Sequence, residues 1–320
     1  NACENCHSPH AASTKRRLLN FSPDEQNCYS CHSGTVASKN IAVEFNKASV
    51  HPITQTSGIH DPIENVINAP RHVACEDCHN PHAAKNAVAL APAASGSLTG
   101  VRGVNSGGAV IRQVQNEYEV CFRCHADSAN RGPARVSRQF VQTNTRLEFN
   151  PANTSYHPVI AVGRNANVPS LISPWTPSRF TYCTDCHNND QGPGAGAGNN
   201  GPKGPHGSRY TPLLERQLLL TDFAPYNVAN FGLCFKCHSS SVVVSAQTTS
   251  WQYHQIHIVN AATACTTCHD SHASIKPHLI NFNTDYVQPY NGVLQYNSLG
   301  ANHGNCTLTC HGTNHIALSY

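Results

Sequence analysis

The sequence predicts a mostly irregular fold of coil and short α-helices with few strands. Three observations lead to this fold class. The 320 residues include 20 prolines and 21 glycines, which interrupt long regular elements. Only 39% of the residues are hydrophobic, a small aliphatic core for this length. All 16 cysteines lie in Cys-x-x-Cys-His motifs or a close variant, which attach c-type haem. We therefore expect the chain to wrap around a series of eight haems, whose porphyrins supply much of the interior.

The eight motifs define the covalent and proximal ligands. Seven have the spacing Cys-x-x-Cys-His, and the eighth has one more residue between its cysteines. The predicted thioether residues are Cys3, Cys6, Cys28, Cys31, Cys75, Cys78, Cys121, Cys124, Cys183, Cys186, Cys234, Cys237, Cys265, Cys268, Cys306 and Cys310. The predicted proximal iron ligands are His7, His32, His79, His125, His187, His238, His269 and His311. Zinc knuckles and disulfides are weaker interpretations, because neither requires histidine after every second cysteine.

Short helices are expected to carry the motifs. Residues 22–25 (Ser-Pro-Asp-Glu) read as a capping box leading into Cys28, and residues 116–119 (Asn-Glu-Tyr-Glu) resemble it ahead of Cys121. On a helical turn, cysteines at i and i+3 and histidine at i+4 share one face. The eighth motif is expected to use a slightly distorted turn of the same kind. Residues 91–109 and 191–204, rich in small residues, are expected to be flexible surface loops.

Internal similarity suggests a duplicated unit with two motifs. Residues 6–12 (Cys-His-Ser-Pro-His-Ala-Ala), 78–84 and 268–274 resemble one another, and residues 49–53 resemble residues 155–159. We divide the chain into four dihaem segments, 1–60, 61–160, 161–260 and 261–320. Each has too little chain to close a core alone, so residues 1–320 are expected to form a single unit rather than independent domains.

The sixth iron ligands are also expected to be histidines. The chain contains no methionine, the other usual distal ligand, and 13 histidines remain after the proximal set. The strongest candidates recur in related contexts: His10, His51, His82, His157, His206 and His272. Two positions stay open, one between His254 and His257 and one among His72, His303 and His315. His60 and His278 have the least support. Histidine on both sides of every iron predicts low-potential haems without an open site.

Charge and hydropathy restrict the partners and the location. The polypeptide has a formal charge of +3, but two propionates on each haem would bring the holoprotein to about −13. Nucleic-acid binding is therefore not expected. No segment approaches the ~18 apolar residues of a membrane span. A chain without methionine that starts at Asn1 suggests a processed, exported precursor. We expect a secreted, extracellular or cell-surface protein, with the periplasm as the alternative.

The chain resembles the multihaem cytochromes c with doubled Cys-x-x-Cys-His motifs that are common in metal-reducing bacteria. The resemblance is carried by Cys-His-x-Pro-His at His7/His10 and His79/His82 and by residues 51–52, 71–75, 204–208 and 233–238. More narrowly, it is similar to the extracellular filament-forming cytochromes known as cytochrome nanowires. That resemblance implies stacked haems in alternating parallel and T-shaped pairs, subunits joined end to end, and His10 as a ligand in a neighbouring subunit. It also implies redox partner cytochromes and extracellular electron acceptors such as metal oxides.

Two kinds of function fit these motifs. Electron transfer through saturated bis-histidine haems is the favoured interpretation, in a conductive filament or in a soluble periplasmic carrier. A multihaem reductase, acting on nitrite, hydroxylamine or tetrathionate, would need an open distal position and a proton donor. Octahaem enzymes of that kind often have lysine in place of the motif histidine, whereas all eight motifs here end in histidine. Electron transfer without enzymatic activity is therefore the prediction.

Overall fold

The computed structural model describes residues 2–12, 17–53, 60–129, 131–196, 198–245, 251–300 and 303–319. Helices account for 21% of the chain and strands for 17%, and most of the remainder is coil. The predicted irregular fold class is therefore confirmed. Within the described ranges, no helix has the length and apolar character that crossing a membrane requires.

The helices are short, and four of the six α-helices in the described ranges begin at or just before a motif. The α-helices are α1 (Glu25–His32), α2 (Cys75–Cys78), α3 (Tyr118–His125), α4 (Thr145–Glu148), α5 (Ser240–Val243) and α6 (Cys265–Cys268). Single 3-10 turns span Ala2–Asn5, Ala42–Asn46, Gly96–Leu98, Cys183–Asp185, Val228–Phe231, Cys234–Lys236 and Pro277–Leu279, and Gln255–Asn260 is a π-helix.

The strands form small antiparallel sheets. They are β1 (Ser49–Val50), β2 (Gly103–Val104), β3 (Val110–Ile111), β4 (Ser155–Tyr156), β5 (Gly207–Ser208), β6 (Ala273–Ser274), β7 (Val287–Gln288), β8 (Gln295–Gly300), β9 (His303–Cys310) and β10 (Thr313–Ser319). Strand β1 pairs with β5, β2 with β3, and β4 with β6. The longest strand, β9, has β10 along one edge and pairs with β7 and β8 as well.

Seven motifs lie on helical turns, as the spacing predicts. Acidic residues inside two motifs close the start of the turn: Asp77 accepts from the backbone N–H of Ala74, and Asp185 from that of Tyr182, both at 2.8 Å. The capping box predicted at residues 22–25 is wrong. Helix α1 begins at Glu25, and the Asp24 side chain makes no capping hydrogen bond. In its place Asn27 bonds to both the N–H and the C=O of Phe21, which fixes the entry of the chain.

The eighth motif departs from the expected helical turn. Cys306 and Cys310 lie on β9, and His311 begins the turn into β10. Residues four apart in a strand point to the same face, so both cysteines still share a side.

In the described part of the chain, the apolar core is divided into four small clusters rather than one. The largest surrounds Phe122 of α3, which is 1% exposed, and contains Val104, Tyr118 and Phe149. Val104 belongs to the segment expected to be a flexible loop, and that expectation is wrong for residues 91–109. The small residues there permit close packing, because a Cβ at Gly103 would lie 2.4 Å from the Val114 side chain.

Two of the strand pairs repeat one arrangement. In β1–β5 the Ser49 hydroxyl accepts from the backbone N–H of Leu213, and in β4–β6 the Ser155 hydroxyl accepts from that of Leu279. Leu213 and Leu279 both have positive φ, 57° and 60°. The similarity that the sequence showed between residues 49–53 and 155–159 therefore extends to their strand partners, and both strands run directly into a histidine.

Candidate haem centres

The motif thiols lie next to one another in chain order. Burial raises the pKa of the Cys78 thiol to about 12, and the charges of Asp77, Cys121 and Cys124 act in the same direction. In the same way, burial and the cysteines of the next motif raise the pKa of three other thiols. These are Cys186 beside the sixth motif, Cys268 beside the eighth and Cys6 beside the second. The second cysteines of motifs one, three, five and seven therefore face the motif that follows.

The first cysteines make the remaining junctions. Thiols of consecutive motifs are close enough to shift each other's pKa in three pairs: Cys28 with Cys75, Cys121 with Cys183, and Cys234 with Cys265. The two kinds of junction alternate from motif one to motif eight. Porphyrins attached through these thiols would therefore form an unbroken series, with two alternating contact geometries.

Histidine rings face each other at one recurring separation. Two imidazoles on opposite sides of one metal ion, each with a metal–nitrogen bond of about 2.0–2.1 Å, have ring centroids about 6.4 Å apart. Five motif histidines have a second imidazole at 6.0–6.4 Å: His7 with His82, His79 with His206, His125 with His51, His187 with His272, and His269 with His254. These separations leave room for an iron between the rings.

Hydrogen bonds fix which ring nitrogen is available. Among the described residues, the Nδ1 atoms of eight histidines bond to backbone carbonyls: His7 to Arg17, His51 to Pro205, His72 to Pro70, His79 to Ser97, His157 to Ser271, His187 to Pro212, His257 to Tyr253 and His269 to His278. The distances run from 2.6 Å to 3.0 Å. An Nδ1–H that donates to a carbonyl orients the ring and leaves Nε2 as the metal-binding atom.

Burial favours the neutral form of five histidines, and the neutral form is the one that can bind a metal. It lowers the pKa of His125, His187, His206 and His238 to about 4, and that of His254 to about 3. The charges of neighbouring histidines lower these pKa values further. For His238, the neighbouring histidine with the largest effect on the pKa is His157. A neutral ring with one nitrogen lone pair is thus available at each of them near neutral pH.

The repeated strand pairs place two of the candidate distal histidines. His51 directly follows β1 and His157 directly follows β4. The carbonyls that hold them belong to Pro205 and Ser271, the residues just before His206 and His272. Each strand pair thus positions two candidate ligands of neighbouring centres, which explains why these histidines recur in similar sequence contexts.

The other predicted ligands are placed differently. Among the described residues, His32, His238 and His311 have no imidazole at the recurring separation. His10 and His303 are exposed, whereas His257 faces His315 at 6.2 Å. His72, with only 7% of its side chain exposed, faces His60 at 6.2 Å.

His60 had the least support as a ligand in the sequence, but it lies in a cluster of possible metal-binding side chains. It forms a cluster with Glu64, His72 and Asp77, whose ligand atoms lie within 4.8 Å of one another. Burial alone would raise the pKa of Asp77, but the hydrogen bond from His60 and the charge of Arg123 hold it below the ordinary value. Spacing to a motif, the signal used for ranking, gave no indication of this cluster.

Buried cations link neighbouring motifs. Arg123 and Lys236 stand just before the second cysteine of motifs four and six. Arg123 donates to the backbone carbonyl of Asp77, and Lys236 donates to that of Asp185 at 2.6 Å. Carboxylates balance both charges: Arg123 bonds to Asp77 and Glu64, and Lys236 to Glu215. These pairs clamp motif three to motif four and motif five to motif six.

Comparison with known proteins identifies the motif. The family model for the doubled CXXCH motif matches residues 1–37, which hold the first two motifs. This motif binds haem c covalently, so the chain is similar here to the multihaem c-type cytochromes, which transfer electrons. No curated protein and no solved structure matched the chain.

Proposed function

We propose that this protein conducts electrons through eight covalently bound haems with histidine on both sides of the iron. Haem c supplies a one-electron ferric/ferrous couple. The observation that carries the proposal is the alternating series of thiol junctions, which runs from the first motif to the eighth. Consecutive attachment points bring redox centres close enough for transfer between neighbours, so the series provides a path along the whole molecule.

The role of the polypeptide in this function is positioning and saturation. At the five centres with facing imidazoles, two histidines would hold the iron and would leave no site for substrate on it. Carbonyl groups hold the rings in orientation, and the buried ion pairs at Arg123 and Lys236 fix consecutive motifs to each other. Such an arrangement favours transfer over catalysis, since a multihaem reductase needs an open axial position and a proton donor.

Mass and ligand binding test the proposal together. The denatured protein is expected to exceed its polypeptide mass by eight haems. The oxidised form should show only low-spin iron, and the reduced form should not bind carbon monoxide. A mass equal to that of the amino acids alone would refute the proposal. One high-spin haem that binds carbon monoxide in the wild-type protein would favour the reductase.

We further propose that copies of the chain join end to end as an extracellular conductive filament. Among the three equivalent histidines His10, His82 and His272, the latter two face a motif histidine of their own chain. His10 has no such partner among the described residues. It is exposed at a depression of about 300 Å³, lined also by Glu4 and Asn20. A ligand that faces outward at one end suits a haem of a second copy, and a head-to-tail contact that does not close produces a filament.

The His10→Ala variant is expected to keep eight haems per chain and to lose filaments in electron micrographs. The Glu4→Gln variant is the matched control, because it changes the same depression without removing an imidazole, and it should assemble like the wild type. Filaments that persist in His10→Ala would contradict the proposed role of His10. A wild-type protein that stays monomeric at every concentration would refute the filament and favour a soluble electron carrier. Redox partner cytochromes and extracellular acceptors are the partners that a filament would serve.

A further inference from the structure

The eighth motif differs from the other seven in both spacing and local structure. On a strand, residues three apart point to opposite faces of the sheet, whereas residues four apart share one face. Cys306 and Cys310 are four apart on β9 and are therefore on the same side. The additional residue thus suits attachment of one porphyrin to a strand, as the shorter spacing suits a helical turn.

The His311 side chain is held by residues outside the hairpin. It follows Cys310 and begins a two-residue turn, in which His311 and Gly312 both have positive φ, 51° and 77°. Its Nε2 lies 2.7 Å from a carboxylate oxygen of Asp222, and its ring packs 4.5 Å from that of Phe223. The nitrogen that binds iron in the other motifs is therefore engaged with a carboxylate.

Asp222 connects the turn at His311 to the seventh motif. Its side chain is fully buried, with 0% exposure. Its other carboxylate oxygen accepts from the backbone N–H of Ala264 at 2.7 Å and from the Thr267 hydroxyl. Both of these belong to the seventh motif or its start. The Asp222–His311 pair therefore fixes the β9–β10 turn against the turn that carries Cys265 and Cys268.

A different histidine lies on the side of the two cysteines. His315 of β10 is the cross-strand partner of Leu308, and cross-strand partners share a face. Leu308 lies midway between Cys306 and Cys310 on β9, so all four residues are on one side. The His315 ring lies 6.2 Å from the ring of His257, with 30° between the planes.

This pair has the geometry of the other facing pairs. Its separation falls within the 6.0–6.4 Å range of the five pairs that include a motif histidine. The Nδ1 of His257 bonds to the Tyr253 carbonyl at 2.9 Å, so Nε2 is its available nitrogen. The two rings, together with the two thiols on the His315 side of the sheet, would supply a complete set of ligands for one haem.

We propose that His315 and His257 are the axial ligands of the haem attached to Cys306 and Cys310. His311 is then a positioning residue that anchors the hairpin through Asp222. The assignment rests on the proposed function, because it presumes a covalent haem at the eighth motif. It departs from the motif rule at this centre alone.

Spectroscopy of three variants of the full holoprotein tests the assignment. His315→Ala and His257→Ala should each convert one haem per chain to high spin and let it bind carbon monoxide after reduction. His311→Ala should keep eight haems by mass, all low-spin and closed to carbon monoxide. The wild-type mass is measured beside them. A missing haem in the wild type would refute the proposed function, whereas eight haems with a different variant pattern would refute only this assignment.

Methionine variants guard against misfolding of the alanine variants. His315→Met retains an axial ligand and should raise the potential of one haem, because methionine ligation raises haem potential. His311→Met should leave all eight potentials unchanged. A haem opened or shifted by either His311 variant would overturn the assignment. So would a His315→Ala protein whose eight haems all stay low-spin.

Discussion

Replacing His206 with alanine is expected to open one haem per chain to carbon monoxide while the other seven stay closed. His206 faces His79 at 6.1 Å with 21° between the planes, the geometry expected for two ligands of one iron. The His79 ring is held independently by the Ser97 carbonyl at 3.0 Å. Loss of His206 therefore removes one axial ligand without releasing the other, and covalent attachment through Cys75 and Cys78 is unaffected.

The control for this experiment is His303→Ala. His303 was also a candidate distal ligand in the sequence, but it lies exposed at the start of β9. This variant should remain entirely low-spin and should not bind carbon monoxide. Titration of the reduced proteins with carbon monoxide, followed by absorbance, measures the number of open haems directly. Equal behaviour of His206→Ala and wild type would show that His206 is not a ligand.

The sequence was sufficient for the local structure of seven motifs and misleading for the eighth. Cysteines three apart and a following histidine require a helical turn if all three are to reach one porphyrin. The same reasoning failed for Cys306 and Cys310, although the sequence contained the opposing signal. Residues 306–310 (Cys-Thr-Leu-Thr-Cys) alternate threonine with cysteine or leucine just before His311-Gly312, a pattern typical of a strand that enters a hairpin turn.

The number of histidines limited the candidates for the distal ligands, but the sequence did not show which candidate pairs with which motif histidine. The partner of His79 comes from a segment two motifs further along the chain, and that of His125 from a segment two motifs earlier. Such pairs are set by the strand contacts β1–β5 and β4–β6, which are too short to leave a sequence pattern. The burial of charged residues such as Asp222 could not be predicted either, because an isolated carboxylate in a polar segment is usually a surface residue.

Consecutive motifs are joined by charge as well as by apolar contact. In motifs three and five, the residue before the second cysteine is an aspartate whose backbone carbonyl accepts from the cation at the same place in motif four or six. A cation that is largely removed from water is sensitive to loss of its counter-ion, because the uncompensated charge is only weakly solvated. The junction of motifs five and six therefore offers a sharp test of what holds the series together.

Substitution of Glu215 by alanine is expected to lower the free energy of unfolding by about 3–5 kcal/mol, the usual cost of leaving a buried charge unpaired. Glu215 is 1% exposed and binds Lys236 and Asn188. Its backbone N–H donates to the Cys186 carbonyl at 2.8 Å, so the site lies against the fifth motif. Gly194 completes the enclosure, since a Cβ there would lie 2.2 Å from the carboxylate.

Two variants separate this effect from a general loss of charge. Asp127→Ala removes a more exposed ion pair with Arg146 and should cost no more than about 1 kcal/mol. The double variant Glu215→Leu with Lys236→Met removes both buried charges and should recover most of the stability, because apolar residues of similar volume often replace a buried pair without loss. Denaturant titrations followed by circular dichroism in the haem Soret band measure all three. A Glu215→Ala midpoint as close to wild type as that of Asp127→Ala would show that the lysine does not depend on this carboxylate, and that the junction is held by its thioethers and packing alone.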